Sequence, residues 1–234
     1  MIIAMADISK QRISRYFRNG RLLRRINRDG LAMELRGLIY FWRRPSLFRV
    51  IRNAIKVSPS TGCNFAELEE LHRTVVRDKP ARVLELGSGL STLVLAHAAM
   101  EGSSQGARIE VVSMDEHSGY AGATLEIIPQ LLRPFVEIVV SEVVETSFVD
   151  GWTGREYKDR PNGPWDFCFI DGPQLPKDSR ERKFFDADLI SILRQQSTPV
   201  VAFLDGREST LRRLRIEPKL VATVGRFLTR FDTR

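Results

Sequence analysis

The chain has 234 residues, 43% of them hydrophobic and 28% charged. That size and apolar content support a sizeable buried core and exclude a wholly disordered chain. Net charge is +7, but residues 1–56 hold 14 Lys/Arg against three acids, so the basic surplus belongs to the N-terminal arm. The remainder is net acidic, which excludes a nucleic-acid face on the main body.

The opening stretch Met1–Ala6 is apolar but too short for a signal segment, and Asp7 follows it. The longest apolar run of the arm, Gly37 to Trp42, is too short to span a bilayer. The expectation is a cytoplasmic protein. Within the arm, Ile13, Phe17, Leu22, Ile26, Leu35, Leu38, Ile39 and Trp42 recur among arginines at helical spacing, interrupted by Gly20, Gly30 and Pro45. This predicts two or three short helices in a basic extension, residues 1–56. Several uses of the arm stay open. It is a solvated face with a packing or homodimer stripe, a lid over a substrate pocket, or a surface for anionic membrane, which would make the protein peripheral to the membrane. RNA contact ranks last, because no compact RNA-binding motif is present.

Residues 57–64 form a turn-rich connector. Asn64 is placed to cap a helix from Phe65 to about Arg77, with Phe65, Leu68, Leu71 and Val75 on one face and Lys79-Pro80 ending it. From Ala81 onward strands and helices alternate. Strands are predicted over Arg82–Glu85, Ile109–Met114, Val136–Val140, Asp166–Ile170, Pro199–Leu204, Leu220–Val224 and Arg226–Phe231. Helices are predicted over Thr92–Met100, Ala121–Leu132, Phe184–Arg194 and Arg207–Leu214. Such alternation implies an α/β domain, residues 57–234, with a mostly parallel sheet covered on both faces; the last two strands form a hairpin around Gly225.

The first strand runs into Glu85-Leu86-Gly87-Ser88-Gly89-Leu90-Ser91-Thr92. Gly87 and Gly89 let a ligand approach the backbone, and the helix start near Ser91 and Thr92 offers free N–H groups. The third glycine of the dinucleotide fingerprint is missing, as is the Gly-Lys-Ser/Thr of a phosphate loop. No Lys or Arg lies between Glu85 and Met100, which argues against a triphosphate. Glu85 suits a cofactor with a positively charged centre. The second strand ends in Asp115-Glu116-His117. An acid there can accept both ribose hydroxyls of an adenosine cofactor, in NAD as in other cofactors, and Asp115 is better placed than Glu116. His117 either packs over an adenine or is an exposed turn residue.

Asp171 and Asp205 follow the fourth and fifth strands and belong on the same edge of the sheet. Asp171 either positions and deprotonates an acceptor hydroxyl or holds the Asp171-Gly172-Pro173 turn. Cys63 and Cys168 form no CxxC pair, and three histidines complete no zinc motif. Cys168 reads as a buried small apolar residue in a reducing compartment.

The segments Val83–Thr92, Ser113–His117 with Tyr120, and Gly163–Pro173 together resemble class I S-adenosylmethionine-dependent methyltransferases, across about residues 57–231. The third resembles the branch that includes catechol O-methyltransferase. The resemblance implies a Rossmann-like methyltransferase fold, with a seven-stranded sheet, helices on both faces and an antiparallel edge hairpin. It implies that Glu85, Gly87, Ser88 and Gly89 line the methionine end of S-adenosyl-L-methionine and that Asp115 holds the ribose. Ser141 and Glu142 take the place of the adenine contacts, or are an ordinary strand exit. In that branch the equivalents of Asp171 and Asp205 join an Asn to bind magnesium. Here Gly206 stands in place of the Asn, which leaves magnesium without a ligand. The implied activity is methyl transfer to a small-molecule or glycan-precursor acceptor, at a hydroxyl. RNA methylation through the arm, a nucleotide-cofactor oxidoreductase and a non-catalytic interaction protein are the alternatives.

Overall fold

In a computed structural model, the structure describes residues 28–57, 64–179, 181–225 and 227–233. The arm positions Ile13, Phe17, Leu22 and Ile26, and Cys63 in the connector, lie outside the described residues. Strands in chain order are β1 (Arg82–Leu86), β2 (Glu110–Asp115), β3 (Val136–Val140), β4 (Val143–Ser147), β5 (Thr153–Tyr157), β6 (Phe167–Ile170), β7 (Phe184–Asp186), β8 (Val201–Asp205), β9 (Leu220–Val224) and β10 (Leu228–Thr233). Helices are α1 (Arg28–Trp42), α2 (Pro45–Val57), α3 (Phe65–Asp78), α4 (Leu90–Ser104), α5 (Ser118–Ile127), α6 (Asp188–Gln195) and α7 (Glu208–Leu214).

The main sheet has seven strands in the order β3-β2-β1-β6-β8-β10-β9. Neighbours from β3 to β8 are parallel, while β10 runs antiparallel to both β8 and β9. This is the expected α/β Rossmann-like sheet with its antiparallel edge hairpin. β1 and β6 are buried almost throughout, as strands covered on both faces must be. Alternate residues feed two cores. Val83, Phe167, Phe169 and Phe203 pack with α3 and α4. Leu84, Leu86, Cys168, Ile170 and Leu204 pack with Leu189, Ile190 and Leu193 of α6. Sheet order reverses between β1 and β6, and in such sheets ligands bind beyond the carboxyl ends of the strands at that point.

α1 and α2 fold onto the same core: Phe41, Leu47 and Ile51 are fully buried in the cluster that holds Val83 and Leu93. Gly37 makes this docking close, since a Cβ there would lie 2.4 Å from the Phe65 carbonyl oxygen. Glu34 of α1 accepts from the backbone N–H groups of Phe65 (3.0 Å) and Ala66 (2.9 Å) at the start of α3. Negative charge at a helix N-terminus is favourable. Asn64 and Glu67 add a reciprocal capping box at the same end, as the sequence predicts for Asn64. The opposite face of α1 leaves Leu31, Leu35, Ile39 and Trp42 exposed. Among the described residues no helix is long and apolar enough to cross a membrane.

Three elements differ from expectation. Residues 184–194 are not one helix: Phe184–Asp186 form β7, and α6 begins at Asp188. β7 adds to the β4–β5 hairpin in a second sheet, β4-β5-β7, absent from the sequence reading. α5 starts three residues early, at Ser118, and ends at Ile127. Pro129 disfavours helical backbone at Ile128, and the chain turns there. Phe41 tests whether the arm helices belong to the cooperative unit. Phe41→Ala is expected to cost about 3–5 kcal/mol in denaturant unfolding, and a cost below about 1 kcal/mol would show α1 to be loosely docked.

Candidate functional site

β1 ends in a turn whose backbone only glycine suits. Gly87 has φ +99°, and a Cβ there would sit 2.9 Å from the backbone of Asp171. Gly172, on the turn after β6, is equally confined: its Cβ would meet the Gly87 nitrogen at 2.7 Å and the Tyr157 hydroxyl at 2.6 Å. The two turns touch backbone to backbone. The Asp171 N–H donates to the Leu86 carbonyl at 2.8 Å, and the Gly87 N–H to the Met114 carbonyl at 2.9 Å. Acids from β1, β2, β6 and β8 are thereby gathered at one edge.

Glu85 is completely buried. Its Oε2 accepts from the Thr92 hydroxyl (2.5 Å) and the Ser113 hydroxyl (2.6 Å), and Ser91 adds a side-chain hydrogen bond. Its Oε1 is buried with no hydrogen-bond partner. Burial pushes the Glu85 carboxyl up to about 7, against the three hydroxyl donors and with a smaller contribution from the Asp115 charge. Thr92 also accepts from the Gly89 N–H at 2.9 Å. The side chains of Ser91 and Thr92 therefore serve Glu85 and the turn.

Asp115 closes β2, nearly buried. It accepts from the Ser88 hydroxyl (2.5 Å), the Ser88 N–H (3.3 Å) and the His117 N–H (2.8 Å). Ser88 and Asp115 thus form one polar corner, with Thr124 Oγ1 3.3 Å from Ser88 Oγ. Glu116 turns the other way: its Oε1 accepts from the Gln174 N–H at 3.1 Å, and its Oε2 is buried without a partner. His117 is half exposed, with its ring 5.7 Å from that of Tyr120. Glu116, His117 and Glu142 line a pocket of about 700 Å³ whose far wall is Arg155 and the loop Gln174–Lys177. Ser141 is buried and accepts from the Asp159 N–H at 2.9 Å, whereas Glu142 points outward and pairs with Lys158 at 3.2 Å.

Across the Gly87–Gly172 contact lies a second acidic group. Asp205, at the end of β8, shares a side-chain hydrogen bond with Asp171 on one side and with Glu67 on the other. Glu67 is the capping-box residue of α3, and it is buried. Burial raises the carboxyls of both Glu67 and Asp171; the Asp205 charge adds to each, and Arg207 opposes the rise at Asp171. Arg207 is the local counter-charge. It donates to the Pro173 carbonyl (2.7 Å) and the Asp171 carbonyl, and it pairs with Asp186 (3.2 Å) and Asp171 (3.5 Å). It is half-buried and committed to carboxylates.

A magnesium ion does not fit this group. Among the described residues the oxygens of Glu67, Asp171 and Asp205 do not all converge within 4.8 Å of one another. Arg207 already occupies Asp171, and Gly206 brings no donor. An S-adenosylmethionine-type cofactor does fit: the unpaired Oε1 of Glu85 beside a glycine turn is matched by a cationic donor, and Asp115 by a diol. Glu67, Tyr157 and Arg207 were missed from sequence. No local sequence pattern marks their part in the site.

No protein-family model matches the sequence, and no curated protein matches it. Among solved structures, the chain is similar to an O-methyltransferase from Bacillus cereus in complex with SAH: 19% identity, TM-score 0.52, over 81% of this chain and 90% of that one. It is also similar to a SAH-bound methyltransferase from Podospora anserina: 14% identity, TM-score 0.55, over 80% and 87%. The chain therefore has the Rossmann-like fold seen in these methyltransferases.

The turn contact is open to direct test. Gly172→Ala is expected to cost about 1–3 kcal/mol by overpacking, read by chemical denaturation. A neutral substitution would mean that the turns do not touch.

Proposed function

We propose that the chain is an S-adenosylmethionine-dependent methyltransferase acting on a hydroxyl of a small-molecule or glycan-precursor acceptor. The observation that carries this reading is the buried, unpaired Oε1 of Glu85 at the switch point of the sheet. An uncompensated buried acceptor is costly, and a bound ammonium group relieves it. The two similar structures, each with SAH bound, support the same cofactor.

In this reading Glu85 and the turn Gly87-Ser88-Gly89 hold the methionine end. Asp115 releases Ser88 and accepts the ribose hydroxyls. Glu116, His117 and the buried Ser141 border the adenine side, with Glu142 at its solvent rim. When bound, S-adenosylmethionine supplies a methyl group on a positively charged sulfur. The protein's task is to hold the acceptor in line with it, and such positioning contributes about 7–11 kcal/mol. Ionised Glu85, with its unpaired oxygen, favours a cationic ligand. Burial raises the Asp171 carboxyl to about 8, so its ionised form, populated as pH rises through that value, is the base that accepts the proton of the acceptor hydroxyl, a role worth about 10²–10⁴-fold. The arm helix α1 acts as a support, because Glu34 caps the turn of α3 that carries Glu67.

Calorimetry of the full chain with S-adenosylmethionine, its demethylated product and NAD tests the reading. Binding of the first two and not of NAD is expected, and a folded sample that binds neither would refute it. Asp115→Ala removes charge-assisted hydrogen bonds, each worth about 1.5–3 kcal/mol, so cofactor affinity should fall about tenfold or more. Unchanged affinity would remove Asp115 from the ribose site.

A further inference from the structure

Away from the acids at the sheet edge, the α3–α4 interface brings two of the three histidines together with a carboxylate. His72 of α3 is fully buried. Its Nε2 lies 3.1 Å from Nδ1 of His97 on α4. One helical turn beyond His97, Glu101 places its Oε2 3.7 Å from His72 Nε2 and 3.9 Å from His97 Nδ1. Among the described residues this is the one group of three His, Cys, Asp or Glu side chains whose ligand atoms all converge, within 4.8 Å.

We infer that His72, His97 and Glu101 form a binding site for one divalent transition-metal ion of the zinc class. An ion bound tetrahedrally at about 2.0–2.1 Å separates its donor atoms by about 3.3–3.4 Å, and the observed separations of 3.1, 3.7 and 3.9 Å lie around that value. Two imidazoles and one carboxylate suit zinc, cobalt or nickel and are a poor set for magnesium or calcium, which take oxygen ligands. The outer contacts agree. Tyr40 Oη is 2.9 Å from His72 Nδ1. A proton on that nitrogen, donated to the phenol, leaves the Nε2 lone pair facing the other two ligands. Metal-bound histidines are oriented in this way through their second nitrogen.

The neutral ring is the form that binds metal, and burial lowers the pKa of both imidazoles. Glu101 remains partly exposed and gives an ion its entry route, with water as the remaining ligand. Arg44 lies 3.7 Å from Glu101 and competes for it. A bound ion would tie α3 to α4 and, through Tyr40, to α1. The inference does not depend on the proposed methyl transfer. Sequence spacing gives no hint of it, because the pair is 25 residues apart in no zinc motif.

The test uses full-length, metal-free protein titrated with Zn²⁺ by calorimetry and with Co²⁺ by visible absorption. One ion per chain with micromolar or tighter affinity is expected, together with the intense bands of a four-coordinate cobalt site and a higher Tm in zinc. Glu101→Gln and His97→Ala should each weaken binding by about tenfold or more, and Tyr40→Phe by about 10–100-fold. Asp171→Asn should leave zinc binding unchanged. Circular dichroism of each metal-free variant reports whether it is folded. No stoichiometric binding by the wild type, or undiminished binding by folded Glu101→Gln, would overturn the inference. Loss of binding in Asp171→Asn would do so too, since it would place the ion at the sheet edge.

Discussion

The structure depends on one close contact, that of Gly87 with Gly172. Parallel strands β1 and β6 bring their turns together where the order of the sheet reverses, and neither turn has room for a Cβ. This contact sets the spacing between two acidic groups. Glu85 and Asp115 stand on one side; Asp171, Asp205 and Glu67 stand on the other. A side chain at either glycine would part the turns and move both groups. Tyr157 of the second sheet closes against the same point, so the small β4-β5-β7 sheet acts as a buttress to the site.

The gathered carboxylates explain the chemistry proposed for the edge. Burying acids is unfavourable unless they are paired, hydrogen-bonded or protonated. Arg207 answers this for Asp171 and Asp186, and the Thr92 and Ser113 hydroxyls answer it for one oxygen of Glu85. The other oxygen has no partner. A cationic ligand completes it, while burial raises the Glu85 carboxyl to about 7. The hydroxyl-directed part of the proposal rests on the second group, where burial raises the Asp171 carboxyl and makes its ionised form a stronger base.

Most of the main sheet was legible in the sequence, because buried parallel strands read as short apolar runs between turn residues. Asn64 and the Gly87 turn were legible for the same local reason, that their residue types are selected by backbone geometry. β7 was not: Phe184 and Phe185 run directly into the apolar positions of α6, so the combined spacing imitates one helix. The β4–β5 hairpin escaped notice because its strands are half exposed and mixed in polarity. Glu67, Arg207 and the His72–His97 pair act through partners distant in the chain, and no local pattern encodes such meetings. Arg207, which occupies Asp171, became visible only in the fold.

The central claim is that ionised Glu85 receives a cationic group of the cofactor. Its most direct test is the dissociation constant of S-adenosylmethionine measured from pH 5.5 to 7.5. Below about 7 the Glu85 carboxyl of the free protein takes up a proton, which a cationic ligand must displace, so affinity should rise with pH through this window and then level off. Glu85→Gln should bind more weakly and lose the dependence. A pH-independent wild type, or the same slope in Glu85→Gln, would contradict the account.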